Sequence, residues 1–223
     1  MRQLEIEFHS WGGARDGAGR KRRPGRPPGV AHRPRERHAR AHPVHVTMRV
    51  RRGLPPLREA VLFRAVREKI GAANRAADER GVFRVVHFSV QNDHVHFIVE
   101  AEDGRTLARG VQGLAIRIAR GLNGVLRARG RVWGDRFHSR ELGTPRAVRN
   151  AIVYVLMNAK KHGAIRAGAL DALSSAPWFD GFRGRIAPAH GPPPVRAPRT
   201  WLAGVGWRRR GLVRTDERPA APD

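Results

Sequence analysis

Between Val44 and His162 the apolar residues switch between a two-residue and a 3.6-residue repeat, and the order of the switches restricts the fold. Val44, Val46, Met48 and Val50 alternate with His45, Thr47 and Arg49, the pattern of a half-buried strand. Pro55 and Pro56 are expected to open a helix, because proline fits the first turn. Leu57, Val61, Leu62, Ala65, Val66, Lys69, Ile70 and Ala73 follow at helical spacing, and Gly81 is the expected stop. Phe83 to Gln91 reads as a second strand, Gln91-Asn92-Asp93 as a tight polar turn, and Val95 to Ala101 as a third strand closing a hairpin. A second helix is predicted from about Thr106 to Arg127, with Leu107, Val111, Leu114, Ala115, Ile118 and Leu122 as its core stripe. Phe137 to Leu142 reads as a short fourth strand. Thr144 then caps a helix that carries Pro145 in its first position, runs to about His162 and stops at Gly163. The order β-α-β-β-α-β plus a final helix predicts an α+β domain: a ferredoxin-like antiparallel sheet with helices on one face and a further C-terminal helix. That fold hosts many unrelated activities, so function must be read from side chains.

Charge narrows the partner. The 223 residues include 44 Lys+Arg and 19 Asp+Glu, a net +25, which calls for a polyanion such as nucleic acid. Only Lys21, Lys69, Lys160 and Lys161 are lysine; the arginine bias fits GC-rich coding, but the shortage of acids does not follow from it. With no cysteine, disulfides, zinc–cysteine sites and thiol catalysis are excluded. No apolar run approaches the ~20 residues needed to span a bilayer, and Met1-Arg2-Gln3-Leu4-Glu5 does not open a signal peptide. The expectation is a soluble, intracellular protein. Three zones are expected. Residues 1–42, with Lys21, Arg22 and Arg23, form a largely disordered basic arm. Residues 43–180 form the domain. Residues 181–223 form a Gly/Pro/Arg-rich basic tail, disordered or loosely packed, in which Trp201 and Trp207 dock weakly.

Two groups of side chains carry possible chemistry. On the third strand, alternation sends Val95, Phe97 and Val99 to one face and His94, His96 and Ile98 to the other. Two imidazoles two residues apart can converge on one divalent ion; the alternative is a polar, solvent-facing edge strand. On the last helix Val148, Ile152, Val155 and Ala159 define the core stripe. Tyr154, the only tyrosine, lies off it, with Asn158 at i+4 and Lys161 at i+7 on the same face. An ordinary exposed tyrosine is the alternative there. Joined, the two groups suit phosphodiester cleavage. A tyrosine hydroxyl, with an ordinary pKa near ~10, is a weak nucleophile at neutral pH and needs help. Mg²⁺ or Mn²⁺ held by His94, His96 and the Asn158 amide could polarise the phosphate and align it for attack. Attack by Tyr154 leaves a phosphotyrosyl link that a free 3′-OH can reverse. No ATP is needed, and no GxxxxGK[ST] loop or other nucleotide-cofactor site is found. The stretch 129–140 interleaves Arg131, Trp133, Arg136 and Arg140 as candidate DNA contacts, alongside Lys160 and Lys161. Trp133 reads equally as core.

The runs QNDHVHFIVEA, LARGVQGLAIRIARGLN and GRVWGDRFHSRELGTPRAVRNAIVYVLMNAKKHG, with HPVHVTMRV and GLPPLR before them, resemble the REP-associated tyrosine transposases. These are domesticated relatives of single-tyrosine insertion-sequence transposases in the HUH endonuclease superfamily. The resemblance covers about residues 40–180. It implies His94 and His96 as the metal pair, Tyr154 as the catalytic tyrosine and Asn158 as the residue completing metal coordination. The implied activity is Mg²⁺- or Mn²⁺-dependent cleavage and joining of single-stranded DNA at hairpins of repetitive extragenic palindromes, by a monomer or homodimer. Two alternatives remain open. One is a non-catalytic nucleic-acid-binding protein with the same fold. The other is a replication initiator or relaxase nickase, for whose helicase 223 residues leave no room.

Overall fold

The computed structural model describes residues 38–78, 82–161, 168–184 and 191–219, together with 165, 186 and 189. Residues 1–37 of the basic arm, with Lys21, Arg22 and Arg23, and the expected stops Gly81 and Gly163, lie outside the described residues. Strand β1 (Val44–Arg49), helix α1 (Ala60–Asp78), strands β2 (Phe83–Val90) and β3 (His94–Ala101), helix α2 (Gly104–Val125), strand β4 (His138–Glu141) and helix α3 (Pro145–Lys161) follow in the expected order. The sheet runs β2-β3-β1-β4 with every pair antiparallel.

Each face of the sheet has its own core. Val44, Val46 and Met48 from β1 and Val95, Phe97 and Val99 from β3 pack beneath α1 and α2, with Leu62, Val66, Ile70, Leu114, Ile118 and Leu122. Ile98, which alternation sends the other way, joins Val148, Ile152, Val155 and Leu156 of α3. Asp103 caps α2 through its bond from the Thr106 amide (2.7 Å), and Thr144 caps α3 at the Ala147 amide (3.1 Å). Two sequence expectations need correction. Helix α1 begins at Ala60, after the proline pair. Leu57 instead donates its amide to Asn92 O in the β2–β3 turn, and Arg58 grips Asp171 with two bonds of 2.9 Å, so this segment is held outside the helix. Val61, placed in the core stripe by spacing, is 52% exposed, and Phe63 takes the buried position.

The larger correction concerns residues 181–223, where the tail described up to residue 219 is folded onto the domain. The Glu100 carboxylate, at the far end of the β3 face that begins with His94, accepts bonds from the Arg199 amide (2.8 Å), the Thr200 amide (2.9 Å) and the Thr200 hydroxyl (2.8 Å). Charge-assisted bonds of this kind are about twice as strong as neutral ones. Thr200 in turn caps the short helix α4 (Trp201–Gly204). Trp207, in the following 3-10 helix (Gly206–Arg210), is buried to 1% exposure against Phe179. Its ring fits because position 181 is glycine: a Cβ there would stand 2.3 Å from the indole. Further along, Arg149 of α3 bonds the carbonyls of Gly211 and Leu212 and the Glu217 carboxylate, and Lys160 donates to Thr215 O. The outer edge of β2 is also covered, with backbone bonds to Leu173, Ser175 and Arg196 in place of an open ladder. Composition suggested a loose tail because Gly, Pro and Arg dominate it; two tryptophans and one buried glutamate 100 residues upstream outweigh that composition.

Trp207→Ala is expected to destabilise the protein by about 3–5 kcal/mol in urea unfolding, the usual cost of emptying a buried aromatic site; a loss below 1 kcal/mol would show that the tail is not docked. Burial also pushes the His87 imidazole down to about 4, against the opposing Asp180 charge. The unfolded chain takes up this proton near pH 6.5 and the folded chain only near 4, so stability falls as pH drops through that window, by up to roughly 3 kcal/mol. Urea midpoints at pH 7.0 and 4.5 are expected to differ less in His87→Gln than in the parent protein, and an equal pH-dependent loss in both would contradict this assignment.

Candidate active site

The site lies where α3 crosses the polar face of the sheet over β2 and β3, with the Tyr154 ring reaching His45 of β1. Antiparallel register sets Thr47 opposite His96 and His45 opposite Ile98, so both β1 residues share the His96 face. The His96 ring is buried, with Nδ1 3.0 Å from Thr47 Oγ1 and 3.3 Å from His45 Nε2. The His94 Nδ1 lies 2.6 Å from Asp93 Oδ1. Burial works against the Asp93 carboxylate, but its hydrogen bond with His94 and the nearby Arg49 charge outweigh burial and hold it below the ordinary aspartate range. It is therefore an ionised acceptor. The two Nε2 atoms face each other across 3.0 Å. That arrangement is repulsive unless a proton or a cation lies between them. An acceptor that orients a ligating histidine from its far nitrogen is the usual support of a metal site.

Helix α3 supplies the other half. Between Ala151 and Ala159 every residue is buried except Tyr154, because the sheet takes one side of the helix and the tail the other. Tyr154 opens into a cleft of about 500 Å³ lined also by His45, Thr47, His96, Arg140, Asn150 and Glu217. Its ring meets His96 edge-on with centroids 5.1 Å apart, and His45 at 5.6 Å. Burial, and then the Arg140 charge, push the His45 imidazole down to about 4, so it is neutral at physiological pH. Asn158 stands one turn further along α3, about 6 Å by helical rise. It is fully buried, and both Oδ1 and Nδ2 lack a hydrogen-bond partner among the described residues. An unsatisfied buried amide costs about 1–3 kcal/mol, so such a group calls for a partner such as an ordered water or an ion. Imidazole nitrogens and an amide oxygen are donors that suit a hard or borderline divalent cation; of the three residues, His96 lines the Tyr154 cleft.

The tentative DNA contacts divide. Arg140 lines the cleft. Trp133 donates Nε1–H to Ala115 O of α2 (2.9 Å), so the indole is partly buried against the helical layer. Arg131 is exposed but turns its guanidinium onto the carbonyls of Trp133 and Gly134 in its own loop. The Arg136 amide bonds Asp135 (2.7 Å). Lys160 is committed to Thr215 O, and desolvation holds it below the ordinary lysine range despite nearby Asp216. Lys161 ends α3. Sequence reasoning missed His45, Thr47 and Glu217 as cleft residues. The strand alternation places His45 and Thr47 on one face, but only the β1–β3 register brings them to His96.

Asn158→Leu is expected to raise stability by about 1–3 kcal/mol in metal-free buffer, because it removes a buried amide without partners. Thermal unfolding in EDTA measures this; a destabilised variant would mean that the amide is satisfied.

The transposase family described as IS200-like matches residues 43–155, which carry both histidines and Tyr154. No curated protein matches the chain. A solved structure of a REP-associated tyrosine transposase bound to a REP hairpin is similar at 17% identity and a TM-score of 0.48, over 60% of this chain and 76% of that one. From the family match over half its length, the chain belongs to the IS200-like transposases.

Proposed function

We propose that the protein cleaves single-stranded DNA and transfers the cut strand, with Tyr154 as nucleophile and REP-type hairpins as substrate. The observation that carries this reading is the Tyr154 ring seated against His96, itself paired with His94. His94, His96 and Asn158 would hold Mg²⁺ or Mn²⁺, which when bound supplies positive charge to polarise the scissile phosphate. The chain's own residues do the rest. Asp93 and Thr47 fix the imidazole orientations. Neutral His45 adds no charge beside the phenol, and Arg140 supplies a cation at the cleft for the incoming phosphate. In the step itself the Tyr154 oxygen forms a bond to phosphorus and loses its proton. The bond from phosphorus to the 3′-oxygen breaks, and that oxygen leaves as a free 3′-OH. The phosphotyrosyl ester is chemically similar to the diester it replaces, so another 3′-OH can reverse the step and join strands without ATP. The hairpin class rests on the sequence motifs that resemble REP-associated transposases.

Incubation with end-labelled hairpin DNA and Mn²⁺ is expected to give a denaturation-resistant protein–DNA adduct, absent in Tyr154→Phe. His94→Ala and His96→Ala are expected to lower cleavage by at least 10²-fold, in the range typical of lost catalytic groups, while keeping most of the DNA affinity. Tight hairpin binding with neither adduct nor cleavage would overturn the reading, and equal loss of binding and cleavage would make the histidines structural.

A further inference from the structure

We infer that Trp201 and Arg209 form a stacking platform for an unpaired base of the DNA strand engaged at the Tyr154 cleft, which deepens the reading above and rests on it. The two tail tryptophans are used differently. Trp207 is buried, whereas Trp201 is 49% exposed, and Val205 beside it is 57% exposed. The Trp201 ring does not hang free. A Cβ at Gly206 would stand 2.6 Å from Cζ3, so the indole lies directly on the backbone of the 3-10 helix. The Arg209 guanidinium sits 4.9 Å from the Trp201 ring centroid.

The support beneath this pair is rigid. Trp207 is packed into the core, Arg208 bonds Asp180 at 2.7 Å, and Glu100 holds Thr200. The ordering cost of presenting the ring is therefore met by folding, before a ligand arrives. Charge selects the ligand. From Pro198 to Arg214 the chain carries five arginines and no acidic residue. With the backbone beneath the indole and the guanidinium over it, the flat surface offered to a nucleobase is the Arg209 plane backed by the Trp201 ring, and neighbouring cations of this acid-free segment suit phosphates. Position ties the platform to the cleft. The seven residues 211–217 join Arg210 to the cleft-lining Glu217, a span of at most ~25 Å. Arg149 of α3 binds this connection at both ends.

The test measures fluorescence anisotropy of two labelled hairpins, one blunt and one carrying a single-stranded extension, on a Tyr154→Phe background that cannot cleave. Trp201→Ala removes the ring that backs the Arg209 plane and is expected to weaken binding of the extended hairpin on the order of tenfold, the size of one lost base stack, and to leave the blunt hairpin unchanged. Trp201→Phe is expected to retain most of the affinity, and Arg209→Ala to lower the salt slope by about one. Unchanged urea midpoints confirm that the tail remains docked in these variants. No loss with Trp201→Ala, or equal loss on both hairpins, would overturn the platform, the first outcome leaving this surface to a protein partner. Selective loss in a protein that forms no Tyr154 adduct would keep the platform and sink the cleavage reading; an adduct with no Trp201 effect would do the reverse.

Discussion

The seating of α3 on the polar face of the sheet is the constraint from which the site follows. Ile98 is the apolar residue of β3 on that face, and it meets a helix buried nearly all round between residues 151 and 159. Each large side chain buried there is worth about 1.5–3 kcal/mol, so the rotation of α3 about its own axis is fixed by several such contacts. That rotation points Tyr154 at His96 and keeps Asn158 inside. One strand face carries three duties in sequence: the histidine pair at one end, the Ile98 contact with α3 in the middle, and the Glu100 dock for the tail at the other end.

The tail completes what α3 begins. A helix with apolar residues on every side needs cover on every side. The sheet covers one half, and Leu202, Ala203, Trp207 and Val213 supply cover from the tail. The Arg149–Glu217 pair then brings the chain to the rim of the Tyr154 cleft. Stability and the rim of the Tyr154 cleft are therefore linked through one segment, and the basic charge of that segment is held in place on a packed support.

Most of the fold was legible because periodicity is local. The alternation of Val44 to Val50, the stripe Leu107 to Leu122 and the Thr144-Pro145 start each report on a single element, and each element formed where expected. The histidine pair and the position of Tyr154 off its stripe were legible for the same reason. Features set by distant partners were hidden. Thr47 and His45 reach His96 only through register, Trp133 finds Ala115 O across the helical layer, and Glu100 captures Thr200 from a hundred residues away. The late start of α1 also has a distant cause, since Asp171 and Asn92 hold the preceding segment. No local pattern records such partners.

The central claim is that His94 and His96 converge to bind one cation beside Tyr154. Pulsed electron paramagnetic resonance of the Mn²⁺-loaded protein tests it directly, because imidazole nitrogens bound to Mn²⁺ give resolved ¹⁴N couplings. The account predicts couplings from two imidazoles, reduced to one in His94→Ala and in His96→Ala. A Mn²⁺ signal with no ¹⁴N coupling, or one unchanged by both substitutions, would contradict it.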